Sequence, residues 1–574
     1  MKPRTIFFLC IVLALIGFWY LSESKSDVVQ DRSQLASFSG MQCTLAKFLL
    51  GDVDTTRQIA PLFDNLGNHS YAIKTSNKRA QAFFNQGIRL CYGFNHAEAH
   101  RAFMEASRLD PEAAMTYWGQ AYALGPNIND PKPDEERKKE AYVALQKARS
   151  HAANATAKEF ALIEALNHRY SADPNADLAT LNTAYMEAMA KVAMEYPDDA
   201  EVQTLYADAA MNTMPWNYWD NEGNPSPNTP PARAALEKAI ALNPDHPGAH
   251  HLYIHMMELP NPDLAVASAD KLGGLMPAAG HLVHMPSHIY IRVGRYTDAV
   301  KANENAILAD EDYISQCYAQ GMYPLGYYPH NIHFLWSAAS LLGESEVAIA
   351  AAKKTSEKVP LGEMISLPFL QDFASVPLLA YTRFGKWNEI LTIPYPGDDY
   401  KHLNMLRHYA RGLAFVRKQN LTEAMEELDS LAMMKTDPAL EIEVANNTSI
   451  KLAEVAYEVV AGEVAAAGGN LSGGISHLET AVALEDKLVY SEPSPWHIPP
   501  RQTLGAMLMD AGRYADAEAV YREDLDDLRQ NGWSLMGLYK SLEAQGRKVE
   551  AADVKKEFDT AWSQADISIE RSVL

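Results

Sequence analysis

Ile289-Tyr-Ile-Arg-Val-Gly294-Arg295-Tyr296-Thr-Asp-Ala299 is echoed further along the chain by Ala506-Met-Leu508-Met-Asp-Ala-Gly512-Arg513-Tyr514-Ala-Asp-Ala517. The phrase has a physical sense. A glycine ends one helix with a backbone that tolerates positive φ, an aromatic residue two positions on packs into the turn, and a small alanine lets the second helix approach the first. Weaker copies stand at Leu341-Leu-Gly343 with Val347–Ala350, at Phe384-Gly385-Lys-Trp387, from Leu413 to Ala424, and at Ala544-Gln-Gly546 with Ala551. Between them apolar residues fall at three- and four-residue spacing, and alternating β-branched runs are nearly absent. The chain therefore reads as all-α, helix after helix.

Working outward, 574 residues with 47% hydrophobic and 21% charged side chains exclude wholesale disorder, a collagen and a multi-span membrane protein. With one helical phrase recurring, the length counts repeats rather than separate domains. The formal net charge of −23 argues against nucleic acid, whose binding needs a basic stripe to displace counterions. Four cysteines cannot form a disulfide framework: Cys10 lies in an apolar leader, and Cys43, Cys91 and Cys317 leave room for a single internal disulfide, with Cys43 either pairing with Cys91 or free.

The fullest copy of the repeat runs from Arg79-Ala-Gln-Ala-Phe83-Phe84 through Gly87, Tyr92-Gly-Phe94 and Ala97 to Phe103, Ala106 and Leu109-Asp110-Pro111, and Ala239-Ile-Ala-Leu242-Asn243-Pro244 closes another. In these residues the chain resembles the tetratricopeptide repeat (TPR) family, whose unit is a helix-turn-helix of about 34 residues. The resemblance covers most of residues 75–565, with insertions at Gly125–Glu136 and Met214–Pro231. It implies a helical-hairpin solenoid, a superhelix whose concave groove holds a protein or peptide partner.

Lys2 and Arg4 precede an apolar run from Ile6 to Leu21 and a polar Ser22–Asp27, the profile of a secretory signal. Phe18-Trp19-Tyr20 stands where small residues would mark cleavage, so residues 1–25 read as either a signal peptide or an uncleaved anchor at a membrane interface. The expected organisation is this leader, a cap or linker over 26–74, a first TPR array with a histidine-rich pocket over 75–345, and a second array over 346–574. The body is expected outside the cytoplasm, periplasmic or secreted, touching a membrane only through the leader.

Eight of the 18 histidines lie between residues 250 and 333, where an even scatter would put between two and three. His251, His255 and Glu258 fall at i, i+4 and i+7 of one helical face, and His250 points about 100° away. His281, His284 and His288 form a second stripe if Pro286 does not break it, and His330 and His333 a third. Three neighbouring elements presenting imidazoles suit a transition metal held by His251, His255, His281, His284, His288, His330 and His333. Met256, Met257, Met276, Met285, Met322 and Cys317 would add soft sulfur, which favours copper, with zinc or iron next. Glu258 is a candidate base, and with Glu311 and Asp312 a candidate oxygen ligand or histidine-orienting acceptor. His96, His100, His402, His408, His477 and His497 read as packing residues.

No HExxH, paired CxxC, glycine-rich phosphate loop or GxSxG elbow occurs, so zincin, zinc-ribbon, nucleotide-triphosphatase and hydrolase readings lack their carriers. His-Leu-Tyr-Ile-His255, His281-Leu-Val-His-Met-Pro-Ser-His288 and Pro329-His330-Asn-Ile-His333 are similar to segments of a group of exported bacterial TPR proteins, over about residues 80–540. Met214-Pro-Trp216-Asn-Tyr218-Trp219 suggests a lid over the groove, and Gly125–Pro131 and Gly321–Pro329, with Tyr327 and Tyr328, could line the same mouth. Two functions remain: a metal-binding protein, catalytic or not, and a metal-free scaffold that docks a partner.

Overall fold

The computed structural model describes residues 57–173, 175–316 and 323–574. The leader, Cys43, Cys317 and Met322 lie outside the described residues. In chain order the helices pair as Lys78–Tyr92 with His96–Leu109, Ala114–Leu124 with Glu135–Ser150, Ala157–Asn167 with Leu178–Glu195, Ala200–Met211 with Thr229–Leu242, and Pro247–Met257 with Pro262–Leu272. Next, Gly280–His284 and Pro286–Arg292 together pair with Tyr296–Gln316, then Tyr328–Leu342 with Ser345–Glu357 and Leu370–Arg383 with Trp387–Thr392. The chain finishes with Lys401–Arg417 and Leu421–Met434, Ser449–Ala467 and Leu471–Glu485, Pro500–Asp510 and Tyr514–Asp527, and Gly532–Ala544 and Lys548–Ala561. This is an all-α, TPR-like solenoid of helical hairpins. The described strands are two-residue pieces, Glu443–Val444 and Asn447–Thr448, joined through Ala445 and Asn446 at positive φ.

The recurring phrase does what its chemistry requires. Gly294 and Gly512 turn between helices at φ +79° and +71°, and Ala299 and Ala517 are fully buried where the second helix meets the first. The two tyrosines part company. Tyr296 is buried and donates its hydroxyl to the Arg529 carbonyl at 2.7 Å, whereas Tyr514 stays 37% exposed. Small residues also set the spacing in the first hairpins. A Cβ on Gly87 or Gly119 would sit 2.5 or 2.4 Å from the Phe103 ring, so both must be glycine for that ring to fill the joint. Side-chain caps start many helices: Asn77 accepts from the Arg79 and Ala80 amides, and Thr156 with Glu159 forms a capping box, each contributing about 1 kcal/mol.

One apolar core runs from Ala60 to Ile569 and draws on both expected arrays. Late helices return to the middle of the chain: Trp533 donates to the Ser340 carbonyl at 2.9 Å, and Arg383 to the Gln502 side chain at 2.6 Å. The loop of residues 486–499 is thereby brought over the helices that carry the histidines. Cys91 is a buried thiol. Among the described residues no helix is long and apolar enough to cross a membrane.

Candidate metal centre

The helix Pro247–Met257 starts on Pro247, with His246 capping it through Nδ1, which accepts the Ala249 amide at 3.1 Å. One turn apart, His251 and His255 share its inner face. His250 points elsewhere, bonded to Ser268 Oγ at 3.0 Å and the Pro244 carbonyl at 2.9 Å. Pro286 begins its own helix, yet the second stripe survives, because Met285 between the two short helices keeps right-handed helical dihedrals (φ −49°, ψ −35°). Gly280 allows this element to press against Asp310, whose Oδ1 would lie 1.9 Å from a Cβ there.

The stripes converge. Coordinating atoms of His251, His255 and His281 lie within 4.8 Å of one another, as do those of His284, His288 and His330, and those of His255, Glu258 and His288. The first two sets share no residue, and the third takes one histidine from each and places Glu258 between them. Ring centres in the first set are 4.9, 5.0 and 6.4 Å apart and in the second 4.9, 4.9 and 5.8 Å. Imidazoles on one tetrahedral ion, with nitrogens about 2.0–2.1 Å from it, put their centres about 5 Å apart.

The protons available to these rings limit what they can do. His251 Nδ1 lies 2.6 Å from the Tyr92 carbonyl, which only accepts, so Nδ1 carries the proton and the buried Nε2 is a lone pair without a partner. Asn303 donates its amide to the Ala299 carbonyl at 2.7 Å, which leaves its Oδ1 to accept from His284 Nδ1 at 2.6 Å; His284 Nε2 is again a lone pair. His288 Nδ1 lies 2.7 Å from Glu258 Oε2, and its Nε2 lies 3.0 Å from His284 Nε2. Burial, outweighing the pull of Glu258, holds His288 below its ordinary value, while Glu258 on its Nδ1 side and His284 on its Nε2 side each call for a proton. Both nitrogens of His255 and of His281 are buried without a hydrogen bond.

Burial, reinforced by neighbouring imidazoles, holds His251, His281, His284 and His330 well below 6.5. They are neutral and ready to coordinate. Burial alone would raise Glu258, but His288 and His255 beside it outweigh burial and bring it below the ordinary carboxylate range. That makes Glu258 an anionic ligand or histidine anchor, and a poor base near neutral pH.

A cover lies over the first set. Phe94, at φ +53°, drives its ring to 4.4 Å from His251, 6.0 Å from His255 and 5.3 Å from His281. Trp216 meets His255 edge-on at 5.2 Å, Tyr327 meets His281 edge-on at 4.7 Å, and Asn129 joins them, accepting from Trp216 Nε1 at 3.1 Å and reaching the Tyr327 hydroxyl. The three irregular stretches thus meet at one side chain.

Other expectations turn out differently. His333, on the same helix as His330, faces Trp336, Phe373 and His497 and belongs to another group with Asp372. Met256, Met257, Met276 and Met285 are buried in the apolar core, where their thioethers fill space. Glu311 pairs with Lys354 and Tyr328. His408 and His477, by contrast, pair with Glu427 and Glu458, in line with their reading as packing residues. Glu492 carries no spacing signal in the sequence, yet the 486–499 loop brings its carboxyl 3.6 Å from His288 Nδ1. Burial and the charge of Glu258 push it far up, so Glu492 is protonated beside an ionised Glu258.

A control comes from His69, Glu201 and His246, which also cluster. There His246 accepts at Nδ1 and donates from Nε2 to Glu201 at 3.1 Å, His69 lies 3.0 Å from the same oxygen, and Tyr92 donates to the other at 2.6 Å. Every contact has its proton, so this group is a hydrogen-bonded strut. The central one lacks that closure.

No protein-family model matches the chain, and no curated protein does. Among solved structures it is similar to human IFIT1 bound to m7Gppp-AAAA, at 13% identity, covering 86% of this chain and 92% of that one with a TM-score of 0.29. It is also similar to the APC/C hetero-tetramer Cut9–Hcn1 (11% identity, 86% and 80% covered, TM-score 0.36) and to yeast Tom70 (12%, 84% and 93%, TM-score 0.26). At these values the likeness concerns repeated helical hairpins and carries no argument about a ligand.

Proposed function

We propose that this TPR-like protein binds transition-metal ions on its central histidines: one ion on His251, His255 and His281, a second on His284, His288 and His330, with the Glu258 carboxylate between them. The observation that carries the reading is the pair of facing Nε2 atoms of His284 and His288, 3.0 Å apart, backed by Asn303 and Glu258. Nitrogens sharing an ion at about 2.0–2.1 Å stand about 3.0–3.4 Å apart, and an oxygen behind each Nδ1 is the usual support of a metal-bound histidine. With the methionines in the core, copper is favoured on the imidazole set alone, since copper(II) heads the divalent series for such donors; zinc and iron follow. A bound ion would supply Lewis-acid or redox chemistry, with Trp216 covering the first set at His255 and Glu492 standing beside His288 of the second.

The leader, which lies outside the described residues, supports the further proposal that the body is exported; fractionation of the full-length chain tests it, and a cytoplasmic pool alone would overturn it. For the metal, elemental analysis of purified protein before and after loading with copper(II) or zinc(II) is the test. Folded protein that takes up neither leaves the scaffold reading, with a protein or peptide in the groove.

A further inference from the structure

A second group of unclosed ligands lies outside that centre. His333 comes from the helix Tyr328–Leu342, Asp372 from Leu370–Arg383 and His497 from the 486–499 loop, and their coordinating atoms fall within 4.8 Å of one another. His402, at the start of Lys401–Arg417, bonds Ser449 Oγ through Nδ1 at 2.7 Å and turns Nε2 towards Asp372 Oδ1 at 3.5 Å. His333 Nε2, His497 Nδ1 and His402 Nε2 are buried without a hydrogen-bond partner. Buried nitrogens left unpaired destabilise the fold, and a cation removes that cost.

The surroundings hold the rings in place. Trp336 stacks on His333 at 5.2 Å with planes 4° apart and meets His497 edge-on at 4.5 Å. His333 and His497 are 5.0 Å apart, centre to centre. Beside them a small cavity is lined by Asp372, His402, Trp496 and His497. Imidazoles with one carboxylate are a borderline nitrogen and oxygen set that suits zinc.

The loop that supplies His497 also supplies Glu492, which lies 3.6 Å from His288 Nδ1, with its other oxygen 4.0 Å from Arg292 Nε. We propose that His333, Asp372 and His497, with His402 beside them, bind a zinc(II) ion that pins the 486–499 loop and so holds Glu492 against the central histidines. This does not depend on metal at the central site. It makes the ion a clasp between helices and a loop distant in sequence, and the placement of Glu492 becomes conditional on it.

The test uses the purified full-length chain, stripped with a chelator and reloaded with zinc(II) alone. His497→Gln and Asp372→Asn should each bind one equivalent less than the parent, whereas the double variant His284→Ala/His288→Ala should keep that equivalent. In the parent, zinc at a hundred times its Kd should slow amide exchange of residues 488–498 by about 100-fold where exchange requires opening of the site. Unchanged stoichiometry in folded His497→Gln and Asp372→Asn would overturn the proposal. If those variants fail to fold, loop exchange in the parent that ignores zinc would overturn it just as well.

Discussion

His284 and His288 face each other Nε2 to Nε2 across 3.0 Å, with Asn303 Oδ1 2.6 Å behind the first ring and Glu258 Oε2 2.7 Å behind the second. An oxygen lies behind each outer nitrogen, so the inner pair calls for a cation or a proton between them. The consequences can be measured.

Glu258→Gln keeps the size of the side chain and removes the charge behind His288. Loss of such an anchor lowers metal affinity by about 10–100-fold. Competition with a chromophoric chelator reads this directly, and an unchanged affinity would remove Glu258 from the site.

Asn303→Leu acts on the same ion from the other side and also on stability. It leaves His284 Nδ1 with Ser287 Oγ, at 3.2 Å, as its remaining partner, which costs the metal-free chain about 0.5–1.5 kcal/mol in urea unfolding, and it weakens metal binding by about 10–100-fold. A purely structural asparagine would show only the first effect.

Acid should destabilise the metal-free protein. Burial holds His96 and His100, both outside the metal set, down to about 4, and the central histidines also lie below 6.5. The unfolded chain takes up protons near pH 6.5 and the folded one does not, so stability is highest above about pH 6.5 and falls as pH drops towards 4, by up to about 1.4 kcal/mol per pH unit for each such histidine. Thermal unfolding at pH 7.5, 6 and 5 checks this; a Tm that stays flat would mean the rings are not buried neutral.

Phe94 combines strain with packing. At φ +53° any residue with a Cβ is strained by about 1–2 kcal/mol, so Phe94→Gly should be less destabilising than Phe94→Ala, the reverse of the order at an ordinary position. Both remove the ring that lies against His251 and His281. Phe94→Ala, which leaves a cavity, should cost about 3–5 kcal/mol.

What the sequence made legible follows from periodicity. Gly294 and Gly512 mark the turns, and the four-residue spacing of His251 and His255 puts them on one face. The stripe through Pro286 was open in the sequence; it holds because a proline at the first position of a helix forgoes a hydrogen bond without diverting the chain. His330 and His333 separate because positions three apart differ by about 60° around the axis, enough here to send one towards His284 and the other towards Trp336 and His497. Glu492 and His497 sit in a loop without period, and Asp372 and His402 on separate helices. Stacking of successive hairpins brings Asp372 to His333 and His402, and the return of the late hairpins onto the middle of the chain brings Glu492 and His497 to theirs.

The most direct measurement is the metal content of the purified chain after loading with copper(II), beside that of His284→Ala/His288→Ala. Two ions on the central histidines mean that the double variant, still folded, retains the ion of His251, His255 and His281 and loses the one of His284, His288 and His330. Equal copper in parent and variant, or no copper in a folded parent, would contradict the central claim.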